Sequence, residues 1–342
     1  MNMLVNWFDI AQQWLFETAV QPLMFAFGMA NLLEDGYDAT GWLLVGLLQL
    51  LVMLAIIAPL QRWRPAEAVT DRAAIRVDVL YTLIHRLGLF RLALFFAFTP
   101  LWDALWSSLR MHGISTFHLD DAWPGVTDLP LVSLLIYLVV FDALEYWIHR
   151  GQHHFEWWWK LHALHHSQRQ MTMWSDNRNH LLDDLLHDVI LVTVAQLIGV
   201  APGQFVAIVA ITQLSENFHH ANVRVWFGQV GERLWVSPRF HRLHHAIGIG
   251  HESHLADITN KTGKIGQPGA PRTSAPVLGG HNFGVLLPWW DMLFRTANFE
   301  LRYDPTGVRD QVEPAPDGRV RDYGRGFWAQ QWLGLQRLWG RA

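Results

Sequence analysis

The chain has 342 residues, of which 51% are hydrophobic and only 16% charged, with 19 tryptophans, 19 histidines and no cysteine. A net charge of −4 with scattered signs gives no basic surface for nucleic acid, and the lack of thiols excludes disulfides, iron–sulfur clusters and thiolate-ligated haem. So apolar a chain is expected in a membrane, and any metal it carries must be held by nitrogen and oxygen.

Met1–Phe8 has neither the basic stretch nor the small-residue cleavage site of a secretory signal, so the first apolar segment is expected to stay in the protein. Windows near 14–33, 42–60, 79–101 and 129–148 approach the roughly 20 residues a helix needs to cross a bilayer, predicting about four transmembrane helices. Glu17, Gln21 and Pro22 interrupt the first of them. Arg62, Arg64, Arg72 and Arg76 follow the second window, whereas Glu34, Asp35, Asp38, Asp120 and Asp121 fall on the other side. Cations favour the cytoplasm, so 61–78 and everything from His149 onward are expected there.

Trp157-Trp158-Trp159 and Trp289-Trp290 read as belts at headgroup level, because indole is apolar with one polar tip. Leu185–Leu214 is apolar but broken at Gly199-Val200-Ala201-Pro202-Gly203, leaving halves of roughly a dozen residues, too short to cross alone. A single crossing there would put the flanking histidines on opposite faces, so a re-entrant or shallow hairpin is expected. Residues 247–280, rich in Gly, Pro, Ser and Thr, read as an irregular loop and a candidate lid. The tail after Phe299 reads as soluble, with Phe327–Leu333 suited to lie on a membrane surface. The expected fold is all-α: a polytopic membrane protein with a cytosolic helical cap, divided as 1–128 (membrane region), 129–299 (catalytic region) and 300–342 (tail).

Histidines carry the chemistry. His149-x-x-x-His153, His162-x-x-His165-His166 and His241-x-x-His244-His245 place imidazoles at i, i+3 and i+4, on one helix face with Cβ atoms about 5–6 Å apart. His154 points elsewhere on such a helix. Eight candidate ligands are twice what one tetrahedral zinc takes, so the count favours two metals in one histidine-rich centre. Asp183, Asp184 and Glu216 are near enough in sequence to orient the rings. His85, His112 and His118 are isolated and read as structural, and His251 and His254 as solvated. His180, His187, His219 and His281 stay open.

The order His149-x-x-x-His153, His162-x-x-His165-His166, His220-Ala221-Asn222, Pro238-x-x-His241-x-x-His244-His245, Asn282-Phe283-Gly284 and Trp290-Asp291-x-Leu293-Phe294-x-Thr296 resembles the fatty acid hydroxylase/sterol desaturase superfamily of integral membrane di-iron oxygenases. The resemblance implies two histidine-held iron ions that use O2 and two electrons to hydroxylate or desaturate a lipid C–H bond. By that match His149, His153, His162, His165, His166, His241, His244 and His245 are ligands, and His220 joins them from the third motif. His180, two residues after Arg178, is a second-tier candidate. The chain departs from the family at Arg295, where glycine is common, and in a longer loop before Asn282. The lipid is expected to enter from the bilayer. With no flavin or nicotinamide fingerprint here, a separate ferredoxin-like or cytochrome-type donor is expected to supply electrons. Two rivals are weaker. A membrane zinc hydrolase would want His-Glu-x-x-His, which the chain lacks, and a metal transport or binding protein would place ionisable groups inside the spans.

Overall fold

The computed structural model describes residues 2–113, 117–247, 280–314 and 318–341. The expected lid, with His251 and His254, lies outside the described residues except at its two ends. Among the described residues the fold is helical; a lone bridge pairs Ala246 with Thr306. The chain forms two compact units, Met1–Ala55 with Leu83–Ser115, and Ile56–Thr82 with Thr116–Ala342.

In the first unit, α1 (Asn2–Leu15) passes through a π turn (Phe16–Val20) into α2 (Gln21–Ala26). Gly28, in the left-handed region at φ 70°, ends that run. It divides the 14–33 window, which is therefore not one helix. The helix after it, α3 (Leu33–Val52), leads through a π turn (Met53–Ile57) into α4 (Ala58–Trp63), which belongs to the second unit. The window 79–101 is divided likewise: α5 (Arg72–Arg86) and α6 (Leu89–Met111) flank Gly88 at φ 76°. Gly46 of α3 packs so closely that a Cβ there would lie 1.7 Å from the Arg86 carbonyl oxygen. Two helices among the described residues, Ala30–Trp63 and Pro130–His154, are long and apolar enough to cross a membrane.

The second unit is organised on α7 (Pro130–His154), which opens with proline in its first turn, where no N–H partner is needed. Extended backbone at Phe155 (φ −89°, ψ 119°) breaks the helix and turns the chain into α8 (Glu156–His166). Beside them runs the hairpin of α9 (Leu181–Leu197) and α10 (Pro202–His219). Its arms have 17 and 18 residues, or about 26 Å of helix each, so the hairpin is deeper than its broken hydropathy suggested. Its tip reaches the start of α7, where the Tyr137 hydroxyl donates to the Ile198 carbonyl (3.2 Å) and Gln204 Nε2 to Ser133 Oγ (2.7 Å). Tyr137, Phe141, Ile148, Leu191, Ala195 and Ile208 form the core between the three helices. Both feet of the hairpin return to the histidines, Asp183 at one bonding His162 and His220 at the other meeting His165.

One expectation changes here. Trp158 is buried with its indole N–H on Asp183, and Trp290 donates to Asp142, so these rings serve the interior; Trp157 and Trp289 are exposed. Among the described residues the tail carries one α-helix. Its helix, α14 (Phe327–Leu338), packs on α8 and leaves Trp328 and Trp332 outward. The remaining short helices, α11 (Gly228–Gly231), α12 (Pro238–His244) and α13 (Trp289–Leu293), carry the third histidine cluster and the chain that backs it.

Candidate metal centre

Four segments bring the rings together. α7 contributes His149 and His153 from its last two turns, and α8, after the corner at Phe155, contributes His162, His165 and His166. His220 caps the end of α10. α12 starts where Ser237 Oγ accepts the Phe240 N–H and Pro238 sets the first turn, and it presents His241, His244 and His245. A buried Arg239–Glu232 ion pair (2.6 Å), with Ser237 donating to the same carboxylate, fixes that helix.

The nitrogens converge in overlapping groups. One holds His149, His153, His162 and His166; another holds His165, His220, His241 and His245; His244 joins His166 and His245 between them. Within each group the donor atoms lie within 4.8 Å of one another and every residue is buried. These groups contain the nine histidines expected from the sequence and, among the described residues, no other.

The hydrogen bonds at the outer edges decide which ring nitrogen faces inward. His149 Nδ1 meets the Phe283 carbonyl (2.9 Å), His244 Nδ1 the His281 carbonyl (2.8 Å) and His220 Nδ1 the Glu216 carbonyl (2.8 Å). His162 Nδ1 meets Asp183 (2.9 Å). A carbonyl or carboxylate oxygen only accepts, so each of these Nδ1 atoms carries the proton and each Nε2 presents its lone pair. Nε2 of His149, His162, His166 and His244 is buried with no hydrogen-bond partner. In the second group Nε2 meets Nε2 at 3.1 Å (His165–His220), 2.9 Å (His220–His241) and 3.1 Å (His241–His245). A neutral imidazole has one N–H, and four such nitrogens facing one another make a poor network. A shared cation suits both groups better, so the residues present fit a pair of histidine-held metal ions.

Electrostatics agree. Burial first, then repulsion from neighbouring rings, pushes His165, His166, His241 and His245 well below the ordinary imidazole value; burial and the nearby His149 do the same to His244. Burial lowers His220 to about 4. All are unprotonated, and competent as ligands, at neutral pH. Burial alone would raise the carboxyl of Asp183, yet the bonds from His162, Gln152 (2.9 Å) and Trp158 (2.6 Å) hold it below its usual range. This charge binds α7, α8 and α9 together at the site. Behind the other rings, Asp291 accepts from the Phe283 and Gly284 N–H groups (2.9 and 2.7 Å) and from Thr296 (2.6 Å), fixing the turn whose carbonyl holds His149.

Of the open histidines, His180 is outside the site: its Nδ1 accepts the Leu182 N–H at the start of α9 and its Nε2 meets the Gln331 carbonyl. His187 pairs with Glu145 (2.7 Å), His154 is exposed, and His281 serves through its carbonyl. His219 is buried at the rim with its ring 4.2 Å from that of His241. Among the proposed orienting groups Asp183 acts by its carboxylate and Glu216 by its backbone oxygen. Asp176, 3.5 Å from His220 Nδ1 and bonded to Asn217, was not anticipated; it lies in a one-turn 3-10 helix (Ser175–Asn177), far in sequence from the ring it faces. The carbonyls of Phe283 and His281 were missed because every residue has one, and only chain path selects these two.

Residues 134–262 match the family model described as fatty acid hydroxylase. The chain is 27% identical over 195 residues to the ornithine lipid hydroxylase OlsE of Rhizobium tropici, a match covering 56% of this chain and 57% of that relative. It thus spans a little over half the relative's length. No solved structure matches.

Proposed function

Because the chain belongs to the fatty acid hydroxylase/sterol desaturase superfamily, we propose that it is a membrane-bound di-iron enzyme that hydroxylates or desaturates a lipid C–H bond with O2 and two electrons from a separate donor. The observation that carries this reading is the outward anchoring of Nδ1 on His149, His162, His220 and His244, which turns Nε2 lone pairs into one buried pocket. Nine imidazoles, those of His149, His153, His162, His165, His166, His220, His241, His244 and His245, would hold the two ions. Bound there, iron would supply oxygen activation and the oxidation of an unactivated C–H bond.

The chain's own residues do the rest. Asp183, Phe283 and His281 hold the rings at fixed angles, so no reorganisation is needed when metal binds. Phe283 and Trp159 close the pocket on two sides, with Phe283 5.3 Å from His153 and Trp159 5.3 Å from His166, and exclude water. We place the site on the cytoplasmic side, reached by lipid from the bilayer and by a ferredoxin-like or cytochrome-type reductase partner from solution. Ornithine lipids, on which the relative is named to act, are the first substrates to test.

The test compares lipid extracts from cells making the protein with those making His165→Ala. The expected difference is a lipid heavier by one oxygen or lighter by two hydrogens, present only with the unaltered chain. Identical extracts under ample O2 and reductant would overturn the reading. Metal analysis separates it from its rivals, since two irons per chain are expected and one zinc would indicate a hydrolase.

A further inference from the structure

The last turn of the apolar part of α7 carries Trp147, half exposed, two residues before the first metal-site ring, His149. If α7 crosses the bilayer, an outward tryptophan there marks the depth at which the helix leaves the lipid. Phe294 packs edge-on against Trp147 at 4.8 Å and stacks on Tyr146 at 5.5 Å, so the segment just after α13 sits at the same depth. Leu293 beside it is 65% exposed. Trp289, at the other end of α13, donates to the Arg233 carbonyl (2.9 Å) and ties in the segment around α11, where Leu234 and Trp235 are also outward. A soluble surface would not keep this many large apolar groups together.

The charge of this rim has one sign. The acids within 226–235 and 286–298 are Glu232 and Asp291, both buried and engaged inward. Arg233 and Arg295 are exposed, and the half-buried Arg150 lies over the Trp147 ring at 5.4 Å. Arg295 moreover stands at φ 60°, a backbone conformation that suits glycine and strains a long side chain. Strain kept at an exposed position points to a use for the side chain rather than to packing.

The geometry points to a membrane-seating rim: α13 and the 228–235 segment lie in the headgroup layer where α7 emerges, and Arg150, Arg233 and Arg295 bind the phosphates of anionic phospholipids. Leu293, Phe294, Trp289 and Trp235 enter the upper acyl region, as interfacial helices do. The metal centre is thereby held against the leaflet at a fixed height. The inference rests on reading α7 as a span and is independent of the reaction.

Since the chain has no cysteine, single cysteines are clean attachment points for a nitroxide. Full-length protein carrying Leu293→Cys, Leu135→Cys or Glu313→Cys is placed in phosphatidylcholine vesicles with and without phosphatidylglycerol, and each label's relaxation is measured with oxygen and with a water-soluble nickel chelate. The expected result is a Leu293 label shielded from nickel and shallower than Leu135, with Glu313 fully accessible. The shielding should deepen with phosphatidylglycerol. Arg233→Gln and Arg295→Gly, the latter suited to its backbone, should abolish that deepening. A Leu293 label as accessible as Glu313 while Leu135 is deep in lipid would overturn the rim and leave the span standing. Both Leu293 and Leu135 in water would overturn the span itself. Shielding that ignores phosphatidylglycerol and both arginine changes overturns the anionic-lipid assignment, and shielding that follows protein concentration assigns the surface to a second copy instead.

Discussion

At the residue scale, the site is specified as much by what stands behind each imidazole as by the imidazole itself. Asp183 has three donors on its two oxygens, and Asn in its place would set an N–H2 against at least one of them. Asp183→Asn is expected to leave the fold intact while weakening metal retention about 10- to 100-fold, read by metal analysis after dialysis against a graded chelator series. The depressed histidines also set a pH dependence in the metal-free protein. In the unfolded chain imidazoles take up protons near 6.5, whereas here burial keeps His165, His166, His241, His244 and His245 neutral far below that and His220 neutral to about 4. Below 6.5 the unfolded state therefore holds more protons, and stability is present in full above that pH and lost as pH falls toward 4. Thermal unfolding of the metal-free protein across that window checks this; a midpoint flat from pH 7 to pH 4.5 would contradict it.

At the element scale, helix ends place the chemistry. α7 stops at an extended Phe155, and the bend sets α8 so that its three histidines meet the two from α7. α14 packs on α8, and its Gln331 ties it to α5 and to the start of α9: it donates to the Tyr81 hydroxyl (2.9 Å) and the Asn179 carbonyl (3.0 Å), accepts from the Leu181 N–H, and offers its own carbonyl to His180. Gly334 makes this contact possible, because a Cβ there would fall 2.3 Å from the His180 ring. Gly334→Ala is expected to cost about 1–3 kcal/mol as an overpacked contact, seen as a lower unfolding midpoint and as loss of hydrogen-exchange protection across Phe327–Leu338. Unchanged protection there would mean that α14 is not held by this contact.

At the scale of the whole molecule, the metal pocket requires segments far apart in sequence to return to one level. The hairpin of α9 and α10 does so, with Asp183 at one foot bonded to His162 and His220 at the other bonded to His165. If α7 crosses the bilayer once, the residues before and after it lie on opposite sides. Asp121→Cys is then expected to react with an impermeant maleimide in intact cells, and Lys160→Cys only after the membrane is opened. Labelling of both from outside would place the site on the wrong face.

Much of this was legible in the chain because side-chain spacing on a helix is a local property: His-x-x-His-His needs only 3.6 residues per turn to put its rings on one face. The same locality made eight of the ring-bearing positions and the helical class readable from residue spacing, while His220 came only with the family resemblance. Hydropathy was a poorer guide, since it sums over a window and does not register a single left-handed glycine, and so Gly28 and Gly88 divided two expected spans while α9 and α10 proved longer than their apolar runs. The roles of Trp158 and Asp176, the two backbone carbonyls and the seat of α14 depended on which distant segments meet. Contacts between residues far apart in the chain leave no periodic trace, because they are fixed by packing and by the need of each buried polar atom for a partner. The sequence determined which groups were available to bind metal; the tertiary structure decided which nitrogen of each ring faces inward.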